Sequence, residues 1–473
     1  MIPVVEFEGK NVAVFGMGRT GITAALALKA GGARVLAWDD NEEARAKAAA
    51  EGVPLADINR RDWRDIAALV LSPGIAHTHP APHRVVELAR LVGTPIIGDI
   101  ELFARAVNAL PAKIRPKIIG VTGTNGKSTT TALIGHILTV CGRDARVGGN
   151  IGLGVLGMSP PHARAIYVLE LSSYQLELAD SLRCDVAVFL NLTPDHLARH
   201  GGMAGYWAAK ERIFRNQDET CTAIIAVDDA YTERTAMRLR LRPGAAQVVP
   251  VSASQVLGEG VSVAAGMVYD CLNANSTRIG DLQRASALPG RHNWQNAAAA
   301  YAAARALGID GKEIFAAITT FPGLPHRMEA AGQIDRVRFI NDSKATNSDA
   351  ARQALSAYPK VYWIAGGVAK EGGIDDLADL FPRMAQAFLI GAAQDAFAET
   401  LAGKVPIVKC GTLETAIAAA FEAASLDPAR EAIVLFSPAC ASFDQFRDYE
   451  QRGDAFKQGV AHLSMTLMRG AAQ

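Results

Sequence analysis

The chain has 473 residues, enough for about three domains, and 49% of them are hydrophobic against 20% charged, which excludes a disordered polymer. Lys+Arg and Asp+Glu both number 48, so the chain has no net charge and no general electrostatic draw toward nucleic acid or an anionic membrane. The first ten residues carry Glu6, Glu8 and Lys10, and no run of 18 apolar residues occurs, so neither a secretory signal nor a membrane span is expected.

Residues 12–15 read as a short apolar strand, followed by the turn Gly16-Met17-Gly18-Arg19-Thr20-Gly21 and an Ala/Leu-rich helix to Ala30. A second strand, 34–38, ends at Asp39 and Asp40, and a third, 68–71, closes on Ser72-Pro73-Gly74. This is the βαβ rhythm of a parallel sheet. The Pro- and Lys-rich join at 111–117 marks a boundary, and a fresh strand follows at 118–121. Further strands are expected near 165–169 and 186–190, and the polar stretch 230–285 reads as an insertion or a small sheet. An alanine-rich helix is expected over 297–307. Phe321-Pro322-Gly323-Leu324-Pro325 reads as a second linker, and strands at 361–364, 387–390 and 432–436 build a third unit. The expected architecture is α/β throughout. A Rossmann-like domain spans 1–111, a P-loop ATPase-like domain 112–322 and a second Rossmann-like domain 323–473. The six cysteines are scattered without a CxxC pair, so reduced, mostly buried thiols are expected rather than a zinc site or a disulfide framework.

Two glycine motifs carry chemistry. Gly16-x-Gly18-x-x-Gly21 lets a pyrophosphate approach a helix N-terminus, and Asp39 lies where a carboxylate could meet a ribose, so a dinucleotide-dependent dehydrogenase stays open on this motif alone. Tightening of a strand-to-helix turn is the plainer reading. The second motif is sharper. Gly123-Thr124-Asn125-Gly126-Lys127-Ser128-Thr129 follows an apolar strand and opens a Thr-rich helix. Its backbone can wrap phosphates, Lys127 can neutralise the β/γ-phosphates, and the Ser128 hydroxyl can ligate Mg²⁺. Val121 stands where the standard pattern has its first glycine, yet ATP binding is expected.

With this loop the chain resembles the Mur ligase family, and the resemblance spans nearly the whole chain. The resemblance rests on Gly98-Asp99-Ile100-Glu101-Leu102-Phe103, the phosphate loop, Gly149-Asn150-Ile151-Gly152, Glu170-Leu171-Ser172-Ser173-Tyr174-Gln175-Leu176-Glu177 and Asn191-Leu192-Thr193-Pro194-Asp195-His196. It continues through Tyr206-Trp207-Ala208-Ala209-Lys210, Gly290-Arg291-His292-Asn293-Trp294-Gln295-Asn296, Pro325-His326-Arg327-Met328-Glu329, Asp342-Ser343-Lys344-Ala345-Thr346-Asn347 and Ser437-Pro438-Ala439-Cys440-Ala441-Ser442-Phe443-Asp444-Gln445-Phe446. The last three segments point to the member that adds D-glutamate to UDP-N-acetylmuramoyl-L-alanine. Such enzymes phosphorylate a carboxylate with ATP and pass the acyl phosphate to an amine.

The resemblance implies roles residue by residue. Lys127, Lys210 and His196 are expected to be catalytic. Gly123 to Thr129, with Asn296, Arg327 and Asp342, are expected to hold ATP. Ser128, Glu170, His196 and Lys210 are expected around Mg²⁺, as two ions, with Lys210 carbamylated so that a cation becomes an oxygen donor. Arg19, Thr20, Ser72, Gly74, Asn150 and His196 are expected on the UDP substrate, although Asp40 and Asn41 stand where some members have threonine and arginine. Thr346, Lys370, Ser442 and the backbone at Phe443 are expected on D-glutamate. Helix capping is the plainer role for Asn293. A monomer in the cytoplasm, with no nucleic-acid partner and no membrane insertion, is expected. A ligase for another amino acid or for folate, and a non-catalytic nucleotide-binding regulator, are the rivals.

Overall fold

Three mostly parallel sheets appear in chain order in the computed structural model, which describes residues 1–273, 276–370 and 372–471. β1 (Asn11–Phe15), β2 (Arg34–Trp38), β3 (Ile66–Leu71) and β4 (Ile96–Ile97) form the first, in the order β2-β1-β3-β4. All its pairings are parallel, and β1 and β3 are buried almost end to end, as expected for strands covered on both faces. The chain passes from β1 to β2 on one side and then crosses back past β1 to β3 on the other, so the crevice above β1 and β3 is a topological switch point.

The central sheet has nine strands. β5 (Lys117–Thr122), β6 (Asp144–Gly149), β7 (Ala165–Glu170), β8 (Val186–Phe189) and β9 (Thr222–Ala226) are parallel, and β10 (Gln247–Ser252), β11 (Gly260–Ala264), β12 (Met267–Cys271) and β13 (Thr277–Asp281) extend one edge. The order is β13-β12-β11-β10-β9-β8-β5-β7-β6. Residues 230–285 therefore do not form a separate small sheet. Asp229 caps a crossover helix, Ala230–Leu241, whose Thr232, Ala236 and Leu239 are buried, and the returning strand β10 pairs in parallel with β9. Only the last two pairings, β11 with β12 and β12 with β13, are antiparallel. The alanine-rich helix also starts earlier than expected and runs Arg291–Ala306. Asn293 thus sits inside the helix and does not cap it; its Oδ1 accepts from Asn296 Nδ2 at 3.1 Å.

The third sheet comprises β14 (Glu329–Ile334), β15 (Val337–Asn341), β16 (Val361–Gly366), β17 (Met384–Ile390), β18 (Ile407–Gly411) and β19 (Ala432–Phe436), in the order β14-β15-β19-β16-β17-β18. Only β14 runs antiparallel to its neighbour.

The chain divides into two compact units, residues 1–285 with 291–321, and residues 286–290 with 322 onward. The first two sheets share the first unit because one apolar core spans them; Phe103 and Tyr167 meet there with ring centroids 5.0 Å apart. The helix Asp99–Asn108 joins them through polar contacts as well. Gly98 N donates to Leu178 O, and the buried Glu101 accepts from Arg105 Nε and from the backbone amides of Asp180 and Ser181 at 2.7 and 2.8 Å. Removing one partner of a buried charged network leaves the others desolvated and unpaired. Glu101→Ala should therefore destabilise the first unit by about 2–4 kcal/mol, read by denaturant unfolding. A change below about 0.5 kcal/mol, the usual surface value, would mean the contacts are replaced by water.

All six cysteines are free thiols and four are buried. Among the described residues no helix is long and apolar enough to cross a membrane.

Candidate active site

The phosphate loop leaves the C-terminal end of β5 at the middle of the central sheet. Gly123 (φ 152°) and Gly126 (φ 83°) adopt backbone conformations that favour glycine. A Cβ on Gly126 would fall 2.2 Å from Asn296 Oδ1, so glycine there is what admits the buried Asn296 amide against the loop. The helix Lys127–Val140 then begins at Gly126 and turns its N-terminus, with Ser128 and Thr129, toward the loop. Side chains brace the loop from outside. Asn125 N donates to Asn191 Oδ1 at 2.8 Å and Asn191 Nδ2 donates back to Asn125 O. Thr124 Oγ1 donates to Thr193 O and lies 3.2 Å from Tyr206 Oη. Asn191 and Tyr206 belong to the quoted motifs, but sequence reading assigned them no role; one amide making two bonds to a loop residue becomes visible only once β5 and β8 are paired.

Glu170 is the last residue of β7, which pairs with β5 so that Val121 and Glu170 are register partners. It is 2% exposed. Its Oε1 accepts from Asn150 Nδ2 at 2.8 Å, and its Oε2 is buried without a hydrogen-bond partner among the described residues. Lys210 arrives from the helix Met203–Glu211 and is 1% exposed. Its Nζ donates to Gly123 O at 2.8 Å, and Lys127 Nζ donates to the same carbonyl at 3.0 Å and to Thr124 O at 2.8 Å. Burial first, then the neighbouring Lys127 charge, push the Lys210 amine well below the ordinary lysine value. His196 precedes the short helix Leu197–His200 with φ 52° and is exposed, its side chain at 50%, beside Asp195 at 3.3 Å. Burial lowers its imidazole below the ordinary histidine value, with Asp195 opposing.

Among the described residues no three His, Cys, Asp or Glu side chains cluster as a ready-made metal cage. The orphaned Glu170 oxygen and the Ser128 hydroxyl are hard oxygen donors at one end of adjacent strands, which fits Mg²⁺; a Lys210 ammonium does not fit, since it offers only N–H.

In the first sheet, Arg19, Thr20, Ser72 and Gly74 gather over the C-terminal ends of β1 and β3. Ser72 Oγ donates to Gly16 O at 2.7 Å. A Cβ at Gly16 (φ 94°) would lie 2.6 Å from Ser72 Cβ, so the two loops pack as one surface. Asp39 departs from the open ribose reading: its Oδ2 accepts from Met17 N and its Oδ1 from Asn41 N, at 2.6 and 2.9 Å. The carboxylate holds the glycine turn in shape. Asp40 pairs with His83 at 3.0 Å. Asn150 follows β6 in the loop whose Gly154 faces Thr20 and Thr23 of the first domain's helix. A further buried group went unassigned in the sequence. His200 lies between Glu177 Oε1 and Ser173 Oγ, both at 2.9 Å, while Arg199 Nη2 donates to Ile75 O at 3.0 Å and lies 3.1 Å from His77 Nδ1. It ties the loop after β3 to the segment after Glu170, and the spacing of His200 four residues past His196 was its one legible sign.

The second unit holds the remaining expected residues. β15, β19 and β16 are adjacent and parallel, and their C-terminal ends lead into Asp342 to Thr346, Ser437 to Phe443 and Gly367 to Lys370. Val368 and Ala441 exchange backbone hydrogen bonds at 2.9 Å, pinning the Lys370 loop to the Ser442 loop. Lys370 is exposed, Thr346 half-buried and Ser442 buried. The Phe443 ring is 75% exposed, so packing fixes its backbone and not its side chain. Arg327 is half-buried, with Nε lacking a hydrogen-bond partner among the described residues.

Asp342 accepts from Met328 N and Ser437 Oγ, and burial raises its carboxyl from 3.8 to about 7. The folded state then holds a proton that the unfolded chain has lost between about pH 4 and 7, so this contribution is present at low pH and lost as pH rises through 7. Asp342→Asn should remove that dependence. Between pH 5 and 8, wild type should lose on the order of 2–4 kcal/mol relative to the variant, measured by denaturant unfolding at each pH. Parallel stability curves would refute the protonated carboxyl.

The fold and this site define a class of nucleotide-dependent α/β enzyme, with a P-loop leaving the nine-stranded sheet of the first unit. Two family models match: the Mur ligase middle domain over residues 121–304, and the Mur ligase, glutamate ligase domain over residues 326–440. The chain is 59% identical over 476 residues to the UDP-N-acetylmuramoylalanine--D-glutamate ligase of Caulobacter sp. (strain K31), covering 100% of both. It is 48% identical over 473 residues to the ligase of the same name from Mesorhizobium japonicum, again covering 100% of both. Among solved structures it shares its fold with the MurC ligase of Thermotoga maritima, with TM-score 0.57, 18% identity, and 96% and 99% of the two chains covered. MurF of Acinetobacter baumannii matches with TM-score 0.55, 20% identity, and 97% and 93% covered. The chain belongs to the Mur ligase family.

Proposed function

We infer that this chain is an ATP-dependent ligase that adds D-glutamate to UDP-N-acetylmuramoyl-L-alanine in peptidoglycan precursor synthesis. The observation that carries the reading is a phosphate loop joined by Glu170 and Lys210 in a chain alike from end to end to ligases of that name. The reaction transfers the γ-phosphoryl group of ATP to the substrate carboxylate. The amine of D-glutamate then attacks the acyl carbon, phosphate leaves and an amide forms. Domain roles follow the chain: residues 1–111 for the UDP substrate, 112–322 for ATP and 323–473 for the amino acid.

The proposed residue roles are as follows. The Gly123–Thr129 backbone cradles the phosphates, Lys127 turns from its carbonyl partners to their charge, and Asn296 meets the base. Arg327 and Asp342 are further proposed ATP contacts. Arg19, Thr20, Ser72 and Gly74 hold the diphosphate over the switch point of the first sheet, and Asn150 and His196 lie toward the reacting carboxylate. Mg²⁺ held by Ser128, Glu170 and His196 would supply Lewis-acid charge on the phosphoryl oxygens. A lowered Lys210 value favours its neutral amine, which can add to CO₂ and lose a proton to give a carbamate anion; the remaining N–H can still donate to Gly123 O. That converts the one misfit donor into an oxygen ligand. Thr346, Lys370, Ser442 and the backbone at Phe443 take the two carboxylates of D-glutamate. Free thiols are in keeping with the cytoplasm, and a monomer is the proposed state.

The test is phosphate release from ATP with UDP-N-acetylmuramoyl-L-alanine, comparing D-glutamate, L-glutamate and other amino acids. Turnover with D-glutamate alone is expected. Turnover with a different amino acid would keep the ligase chemistry and overturn the amino-acid assignment, and none with any would overturn the nucleotide substrate.

A further inference from the structure

Arg452 lies in the helix Tyr449–Ala471, beyond the segment that the glutamate ligase domain model matches. It is 1% exposed, and among the described residues no carboxylate lies within salt-bridge distance of it. Its hydrogen bonds go to neutral oxygens. Nε donates to Ser343 Oγ at 3.0 Å, and Nη2 donates to Ser343 O at 2.8 Å and to Cys440 O at 3.0 Å. Nη1 is buried without a hydrogen-bond partner among the described residues and faces the Gly367 turn, where a Cβ would lie 3.2 Å from it. Burial lowers the guanidinium to about 10, so it is still charged at neutral pH.

The three segments it touches are the three that carry the expected amino-acid contacts. Ser343 is three residues from Thr346, Cys440 two from Ser442 and Gly367 three from Lys370. The anchoring is tight on the other side too. Ser343 Oγ donates to Tyr449 O at 2.8 Å, and Gly453 packs so closely on His326 that a Cβ would fall 2.1 Å from its Nδ1. Asp444 acts on Arg452 only beyond salt-bridge distance, and a buried cation without a paired anion is costly unless the fold uses its charge or its geometry. A forked donor suits the geometric role, since one planar group spans two backbone segments.

We propose that Arg452 is the positioning residue of the amino-acid site, tying the Ser343, Cys440 and Gly367 segments together and supplying the positive field that favours a dicarboxylate amino acid. This rests on reading the second unit as the D-glutamate site. Arg452 does not itself reach the ligand; its Nη1 is sealed behind the Gly367 turn.

The test uses the full-length chain and steady-state kinetics with each substrate varied in turn. Arg452→Lys keeps a charge but cannot span both segments, and Arg452→Met keeps bulk without charge. For Arg452→Lys, KM for D-glutamate should rise about tenfold while kcat and the KM values for ATP and the nucleotide substrate stay within about threefold. For Arg452→Met, the rise should reach about a hundredfold. Should the Met variant melt at assay temperature, Arg452→Lys and Ser343→Ala decide, the latter removing the Nε partner together with the Ser343–Tyr449 hydrogen bond and giving a smaller rise in the same constant. An unchanged KM for D-glutamate in Arg452→Lys, or all three KM values rising together with a lowered melting temperature, overturns the proposal and leaves the ligase reading intact. Wild-type chain that releases no phosphate in response to D-glutamate overturns both.

Discussion

Lys210→Met is expected to lower turnover by about a thousandfold or more while leaving the fold intact, because it removes one nitrogen and keeps the buried stem. In the structure that nitrogen shares the Gly123 carbonyl with Lys127, so two ammonium groups would crowd one acceptor in a site from which water is nearly excluded. Desolvation and the Lys127 charge both disfavour the cation, and the helix Met203–Glu211 holds the amine where phosphoryl transfer is expected. The stability consequence has a definite sign. Between the lowered folded value and the unfolded value of 10.5, the unfolded chain binds a proton that the folded chain does not, so wild-type stability rises with pH across that window. The Met variant lacks this term. It should be at least as stable as wild type at neutral pH, with an advantage that grows as pH falls. Loss of turnover with a retained melting temperature therefore separates a chemical role from a packing role. Depleting bicarbonate should lower wild-type turnover and leave the residual rate of the variant alone, and the intact wild-type chain should carry a mass increment of one CO₂. Wild-type turnover in Lys210→Met would remove the residue from the mechanism.

The sequence was most informative where local backbone chemistry and function coincide. The phosphate loop is legible because glycines at 123 and 126 take conformations that glycine favours, and because an apolar strand and a helix must flank it. Strands buried on both faces, such as β7 and β19, announce themselves as apolar runs of the right length. The edge strands beyond β9 were harder to place. Residues 277–281 are half-exposed or exposed throughout, so their pattern does not say whether they found a new sheet or extend an old one. Asp39 shows a different limit: a carboxylate after the second strand has the same sequence signature whether it binds a ribose or, as here, the backbone of Met17 and Asn41. Arg452 was invisible for a third reason. An arginine inside a long polar helix is ordinarily a solvated charge, and only the approach of three distant strand ends turns it into a buried fork. Asn293 failed as a cap because the helix starts two residues before it, a shift typical of helix ends.

Glu170→Gln should lower turnover by about 10²–10³-fold and at the same time leave the chain equally or more stable. The two effects have one cause. The carboxylate ends β7 with one oxygen bonded to Asn150 and the other buried without a partner, in a position that register with β5 places beside the phosphate loop. A desolvated charge with an unused acceptor costs folding free energy, and proteins keep such a group where a ligand compensates for it. Glutamine preserves the volume and the Oε1 bond to Asn150, and it replaces the anionic acceptor by an amide that cannot neutralise a divalent cation. The Mg²⁺ concentration for half-maximal activity should therefore rise with the loss of turnover, whereas the melting temperature in the absence of Mg²⁺ should hold or increase. Adding Mg²⁺ with nucleotide should raise the melting temperature of wild type more than that of the variant, because only the wild-type carboxylate gains its missing partner. A large fall in melting temperature without added metal would mean that the carboxylate serves the core, and an unchanged Mg²⁺ requirement would place the ion elsewhere.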